Sequence, residues 1–307
     1  ELTIRREASN SLIAFSGMDT VFFCNSGAEA NENALKLSFQ ITGRKAFGSF
    51  QGGWHGRTFL ALAVTDDPKI TEAFESIFPE HHQFPFGDVQ ALESIDFSNL
   101  ACVIVEPIQS MSGIRTASSE WFSALRAKCT KAGCFLIFDE IQTGVGRMGQ
   151  PFASHYFKVR PDFITSAKGL ASGVPIGALM MTEAVAQHVK SHMLGSTFGG
   201  GPIACAALIA TLDIIQNEHL MEHATQMHSY LASALKNTMI DEVKGAGLLL
   251  GLKSHKASDL KAYLLSQRVL VGGSSDPTVL RLMPPLNVRK SSLESLVEHI
   301  RAFGGKS

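Results

Sequence analysis

Four short runs of uninterrupted apolar residues punctuate this chain: "VFFC" at 21–24, "ACVIV" at 101–105, "CFLIF" at 134–138 and "ALMM" at 178–181. A strand with one solvated face alternates apolar and polar residues. Runs without alternation suit strands covered on both faces. Stretches with helical signals lie between them. One opens at "SGAEANENALKL", another at "SEWFSALRAKCTKAG", where Gly133 suits a helix stop. Strands alternating with helices imply an α/β domain with a mostly parallel sheet and flanking helices. Ligands of such folds gather at the carboxyl ends of the strands.

After about residue 212 the texture changes. "DIIQNEHLMEHATQMHSYLASALK" reads as one long helix, and "VKGAGLLLGLK" and "VLRLMPPL" read as strands. "SSLESLVEHIRAF" reads as an amphipathic helix with Leu293, Leu296, Val297, Ile300 and Phe303 on one face. Ser291 and Glu294 fit a capping box at its start. The expected division is a large domain over 1–212 and a smaller α+β domain over 213–307. A length of 307 residues, 45% of them hydrophobic, is enough for two cores.

A formal net charge of -1 points to neither nucleic acid nor an anionic membrane as partner. No apolar run approaches the roughly 18 residues of a membrane helix, and no signal-peptide pattern is present. The five cysteines, Cys24, Cys102, Cys129, Cys134 and Cys205, form no CxxC pair. In a chain of this size they read as reduced thiols of the cytoplasm, with no metal site expected.

"FLIFDEIQTGVGRMG" carries a buried-strand pattern into two adjacent carboxylates, Asp139 and Glu140. A buried carboxylate needs a cation or hydrogen-bond donors to stay charged. In "NSGAEANENALKL", Ser26 and Glu29 have capping spacing and Gly27 lets backbone approach a ligand. Free amides and the helix dipole favour a phosphate there. An ordinary capped helix fits the same residues. In "TSAKGLASGVPIGA", Lys168 sits among small residues, which suggests a confined amine able to attack a carbonyl; an exposed loop lysine fits as well. "FQGGWHGRT" presents an aromatic face at Trp54 and a carboxylate-matching fork at Arg57, with His55 structural. "GSTFGGGP" offers the hydroxyls of Ser196 and Thr197 beside a glycine run, which a plain loop also explains.

A phosphate cradle, an aromatic plate, an acid at a strand end and a confined lysine together suit pyridoxal phosphate. That cofactor uses a lysine Schiff base and an acid on its pyridine nitrogen. A protonated pyridine nitrogen is then the expected partner of Asp139, and Glu140 is structural.

The chain resembles the class III aminotransferases of pyridoxal-phosphate fold type I, most closely the acetylornithine and ornithine aminotransferases. "NSGAEANENALKL", "GGWHGRT", "VEPIQ", "IFDEIQTGVGRMG", "PDFITSAKGLASGVPIGA" and "STFGGGPIACAA" carry the resemblance in order along most of the chain. It implies that Lys168 forms the Schiff base and moves the proton, and that Asp139 pairs with the pyridine nitrogen. It places Gln142 near the phenolic oxygen, Trp54 over the ring, and Ser26, Gly27 and Ala28 on the phosphate. Thr197 would reach the phosphate from the other subunit, which implies a homodimer with shared sites. Arg57 would grip the α-carboxylate of the amine donor, with Ser196 beside it. Arg281 would take the α-carboxylate of glutamate or 2-oxoglutarate.

Three departures from the family pattern stand out. Only 24 residues precede Asn25, where the family has several dozen, so the chain is either incomplete or a shortened relative. Met111 stands where the family has a glutamate that shields the second arginine; Glu106 is a candidate substitute cover that the sequence does not place. Gly201 stands where the family commonly has Asn. The expected activity moves the terminal amino group of N-acetylornithine, or a related ω-amine, to 2-oxoglutarate. Ornithine δ-aminotransferase, 4-aminobutyrate aminotransferase and a non-catalytic partner subunit remain as alternatives.

Overall fold

The computed structural model describes residues 2–305; Glu1, Lys306 and Ser307, which the expected domain ranges include, lie outside them. The chain divides into two compact units. The first comprises Glu1–Pro107, Ala117–Val145 and Phe152–Ile214, and the second Ile108–Thr116, Gly146–Pro151 and Ile215–Ser307. The final crossing thus follows Ile214, and two short earlier segments belong to the second unit.

In chain order the strands are β1 (Thr20–Cys24), β2 (Ala46–Phe50), β3 (His81–Phe84), β4 (Leu100–Val105), β5 (Ile108–Gln109) and β6 (Arg115–Thr116). Then come β7 (Phe135–Asp139), β8 (Phe163–Ser166), β9 (Gly177–Met181), β10 (Glu242–Ala246), β11 (Leu249–Lys253) and β12 (Val279–Leu282). The first unit holds a seven-stranded sheet in the order β1-β9-β8-β7-β4-β2-β3. Neighbours from β8 to β3 pair in parallel, and β9 runs antiparallel to both β8 and β1. Strand β1 therefore points the same way as the parallel strands. The four apolar runs fall on sheet strands, except that Cys134 of "CFLIF" lies just before β7, and β4, β8 and β9 are buried along their whole length.

Helix α1 (Thr3–Ser16) ends at Gly17, whose φ of 70° is left-handed. Helix α2 (Gly27–Thr42) lays Ala34, Leu35 and Leu37 on the sheet against Phe47, Ile104, Ile137, Phe163 and Leu179. Each large apolar side chain buried there contributes roughly 1.5–3 kcal/mol. Aromatic rings fill another part of the core: Trp121 packs edge-on against Phe50 at 4.9 Å and Phe122 at 5.1 Å. Trp121 belongs to the helix Ser119–Ala132, which stops at left-handed Gly133 as its sequence predicts.

The second unit has an antiparallel sheet β10-β11-β12, and "VKGAGLLLGLK" is a hairpin turning at Gly247. Its core gathers Leu231, Leu250, Leu252, Leu260, Leu280 and Leu296. The early segments are bound into this unit by hydrogen bonds. Met111 O accepts from Ser275 N at 2.8 Å, Gly113 O from Lys244 Nζ at 2.8 Å, and Arg147 O from Leu248 N at 2.9 Å.

Two expectations are corrected here. The long helix over 213–236 is two helices, Pro202–Asn217 and Leu220–Ala234, broken where His219 takes a left-handed φ of 52°. No glycine or proline marks that break. The capping box at Ser291 and Glu294 does not form: the last helix (Lys290–Gly304) starts two residues earlier than that box requires, with Arg289 at its N-cap and no side-chain cap. Ser291 is thus inside the first turn, and Glu294 faces Lys290 one turn back at 3.7 Å. The apolar face is as predicted, with Leu293, Leu296, Val297 and Ile300 buried and Phe303 packed on Tyr263 at 5.1 Å.

Candidate active site

A cleft of about 600 Å³ opens in the first unit at the carboxyl ends of its co-directional strands. Its wall is built from the residues at and just beyond those ends. Ser26–Ala28 come after β1, the loop with Trp54, His55 and Arg57 after β2, and Glu106 after β4. Asp139 closes β7 with Gln142 just beyond, and Lys168 comes two residues after β8.

At the β1 end, Ser26 caps α2 by accepting the Glu29 amide at 3.2 Å. The Glu29 carboxylate reaches back to the backbone N–H and the side-chain amide of Asn25, at 3.1 and 2.9 Å. The amides of Gly27 and Ala28 belong to the first turn, where a helix has no acceptor of its own for them. Two glycines make this turn possible. A Cβ on Gly27 would meet Ile141 Cδ1 at 2.5 Å, and one on Gly177 of β9 would lie 2.2 Å from Ser26 O. The result is a close-packed helix N-terminus that lines the cleft, a ready anion cradle.

Asp139 is only 3% exposed. Its Oδ2 accepts from Asn31 Nδ2 at 2.7 Å and from His55 Nδ1 at 2.8 Å, and its Oδ1 accepts from Ile141 N at 3.2 Å. Asn31 Nδ2 also donates to His55 O at 2.7 Å, and Asn31 Oδ1 accepts from Thr165 Oγ1 at 2.7 Å. The protein itself therefore supplies donors to the buried acid. Sequence reasoning missed Asn31 and made His55 structural only. The available signal was a polar residue on the apolar face of α2, between Ala30 and Ala34.

Glu140 is fully buried and is held by Ala153 N, Ser154 N at 2.9 Å and Thr143 Oγ1 at 3.1 Å. Burial pushes its carboxyl up to about 7, against the pull of those donors. Its partners lie within the core, in keeping with a structural part.

Lys168 lines the cleft but is exposed in this chain, so the small residues around it do not confine it. Glycine and alanine form shallow walls and cover little of a long side chain. The residue takes a left-handed φ of 51° at the head of a single 3₁₀ turn. The Arg57 guanidinium lies over the Trp54 ring at 5.5 Å, and Trp54 N donates to buried Glu106 Oε1 at 2.8 Å. Ser196 and Thr197 are exposed outside this lining. Ser196 Oγ accepts from Asn25 Nδ2 at 3.3 Å and from Gly199 N at 3.0 Å, which ties its loop to the start of α2. In the second unit, Arg281 on β12 donates to Gly273 O and, at 3.4 Å, to Ser110 Oγ, next to Met111.

The class III aminotransferase family model matches residues 4–303. The acetylornithine aminotransferase of Archaeoglobus fulgidus is 40% identical over 292 residues, which cover 95% of this chain and 77% of that protein. The acetylornithine aminotransferase of Bacillus subtilis is 36% identical over 305 residues, covering 97% of this chain and 79% of that one. Among solved structures, the ornithine aminotransferase from Toxoplasma gondii ME49 matches with a TM-score of 0.91 at 27% identity, over 98% of this chain and 76% of that one. A transaminase from the marine bacterium Virgibacillus shares the fold, with a TM-score of 0.93 at 23% identity over 100% and 80% of the two chains. The sheet and its flanking helices are pyridoxal-phosphate fold type I, and the chain belongs to the class III aminotransferases.

Proposed function

We propose that this chain moves the terminal amino group of N-acetylornithine, or of a related ω-amine, to 2-oxoglutarate. The carrying observation is one cleft that joins a helix-terminus anion cradle, a donor-held acid, an amine and a guanidinium stacked on an aromatic ring. That donor set fits pyridoxal phosphate. The first turn of α2 is glycine-packed against Ile141 and offers amides to a phosphate, and Asp139 keeps an acceptor position on Oδ1 for a ring nitrogen. Relatives named acetylornithine aminotransferase at 36–40% identity support the substrate.

Bound pyridoxal phosphate supplies an electron sink that acidifies the carbon beside the amine. The remaining work falls to side chains. Asp139 holds the proton on the ring nitrogen, and Lys168 takes the proton from the substrate carbon and returns it. Ser26, Gly27 and Ala28 hold the phosphate, Trp54 covers the ring, and Gln142 serves the phenolic oxygen. Arg57 grips the α-carboxylate of the amine donor with Ser196 beside it, and Arg281 takes that of glutamate. Thr197 serves the phosphate of a second copy in a cytoplasmic homodimer. The exposure of Thr197 and of its neighbours Phe198 (79%) and Ile203 (77%) supports an interface there.

The test is glutamate formation from N-acetylornithine and 2-oxoglutarate by the purified chain with added pyridoxal phosphate. Lys168→Ala is expected to abolish turnover while keeping cofactor bound through the phosphate and ring contacts. Full turnover in that variant would overturn the assignment of Lys168. Glutamate formation from other amines but not from N-acetylornithine would overturn the substrate.

A further inference from the structure

Asp139 Oδ2 has two donors, Asn31 Nδ2 at 2.7 Å and His55 Nδ1 at 2.8 Å, while Oδ1 has one, Ile141 N at 3.2 Å. A carboxylate oxygen accepts about two such bonds in its plane, so Oδ2 is filled and Oδ1 keeps one position. The donors cannot swing away. Both Nδ2 hydrogens of Asn31 are used and its Oδ1 accepts from Thr165, which fixes the amide. His55, 2% exposed, is held by its backbone as well: its N–H donates to Thr65 Oγ1 at 3.0 Å and its carbonyl accepts from Asn31.

His55 Nε2 is buried and, among the described residues, has no hydrogen-bond partner. A carboxylate only accepts, so Nδ1 carries a proton. A second proton, on Nε2, would be buried with no acceptor, a costly arrangement. One proton on Nδ1 satisfies both facts. In that form His55 donates a hydrogen bond to Asp139 without adding a positive charge beside it.

We propose that His55 is a positioning residue for Asp139: it fixes the carboxylate through Oδ2 as an uncharged donor, so that Oδ1 is offered to the cofactor's ring nitrogen with its negative charge uncompensated. The proposal rests on the reading of Asp139 given above. A histidine carrying two protons would partly cancel the acid's pull on a ring cation. A side chain with no donor would leave the carboxylate free to rotate and would remove one of its buried bonds.

The experiment measures dissociation constants of the full chain for two ligands: pyridoxal phosphate, and an analogue with carbon in place of the ring nitrogen. The two present the same phosphate, hydroxyl and aldehyde, and only the first can pair with Asp139. His55→Ala is expected to weaken pyridoxal phosphate by roughly tenfold to a hundredfold, the scale of one hydrogen bond to a charged group, and to leave the analogue within a few-fold. His55→Asn, whose amide can stand where Nδ1 stands, is expected to recover most of the preference for the nitrogen-bearing ligand. Equal losses for both ligands in His55→Ala, or no loss for either, overturn the proposal. If the alanine variant does not fold, His55→Asn decides alone: a lost preference overturns the proposal and a retained one supports it. Asp139→Asn is measured alongside. If it too fails to separate the two ligands, the reading of Asp139 itself falls; if it separates them and His55→Ala does not, only the role of His55 falls.

Discussion

At Glu140 burial and hydrogen bonding pull in opposite directions, and burial wins, raising the carboxyl from 4.5 to about 7. Between those values the folded protein holds a proton that the unfolded chain has released. Stability therefore falls as pH rises through this window, and the loss is complete above the folded value. The expected size is on the order of 3 kcal/mol. Urea unfolding at about pH 5 and about pH 8 measures it. Glu140→Gln is expected to flatten the difference between the two pH values, while costing about 1–3 kcal/mol at both, since its NH₂ must face a backbone donor. An unchanged pH difference in the variant would contradict this. Met111 allows a second test at this scale. The residue before it already hydrogen-bonds Arg281 through Ser110 Oγ, and a thioether cannot pair with a guanidinium. Met111→Glu is expected to shift reaction of ornithine from its α-amine toward its terminal amine by about 1–3 kcal/mol, a charge-assisted contact. The ratio of cyclic semialdehyde product to 2-oxo acid product reads this, and equal ratios in both proteins would remove Met111 from the choice. Asp139 was legible because its chemistry is local: an apolar strand runs straight into it. Asn31 was not, because its partners at His55, Asp139 and Thr165 lie 24, 108 and 134 positions away. The motif around Lys168 was legible and the residue does line the cleft, but its exposure was not legible, since flanking small residues do not report how far a cleft opens.

Among the elements, the start of α2 depends on β9. Gly177 pairs with Cys24 across the sheet, and its missing side chain leaves room for Ser26 O. Gly177→Ala would push a Cβ to 2.2 Å from that oxygen, so backbone must move. Overpacking of this kind costs about 1–3 kcal/mol. Here it would also displace the cap, so inorganic phosphate and pyridoxal phosphate should both bind more weakly. Calorimetric titration of each ligand is the check, and unchanged affinities would separate β9 from the cradle. Boundaries were readable where a residue's own backbone preference sets them, as at Gly133. The break at His219 was not readable, because a non-glycine residue in the left-handed region is uncommon and no glycine or proline flanks it. The last helix shows the same limit: its apolar stripe fixed the face, but its start depended on where the preceding chain turns.

For the whole molecule, continuous apolar runs were enough to predict a mostly parallel sheet with covered faces, because burial on both sides leaves no room for alternation. The second unit's two early segments gave no such signal, since short hairpins and turns carry no period. All five cysteines are free and buried. Burial pushes the Cys24 thiol up to about 12 and those of Cys102 and Cys129 well above the ordinary range. A coloured thiol reagent is therefore expected to find almost no reactive groups in the native protein and five after denaturation. Rapid native labelling of even one would contradict this burial. The discontinuity of the second unit also has a consequence during synthesis. Ile108–Thr116 and Gly146–Pro151 leave the ribosome well before Ile215–Ser307, which carries the strands and helices they join. The nascent chain must carry both segments before the rest of their unit exists. No single cut can then release the second unit as a complete fragment, and a gene split after Ile214 would separate Arg147 from Leu248 and Met111 from Ser275.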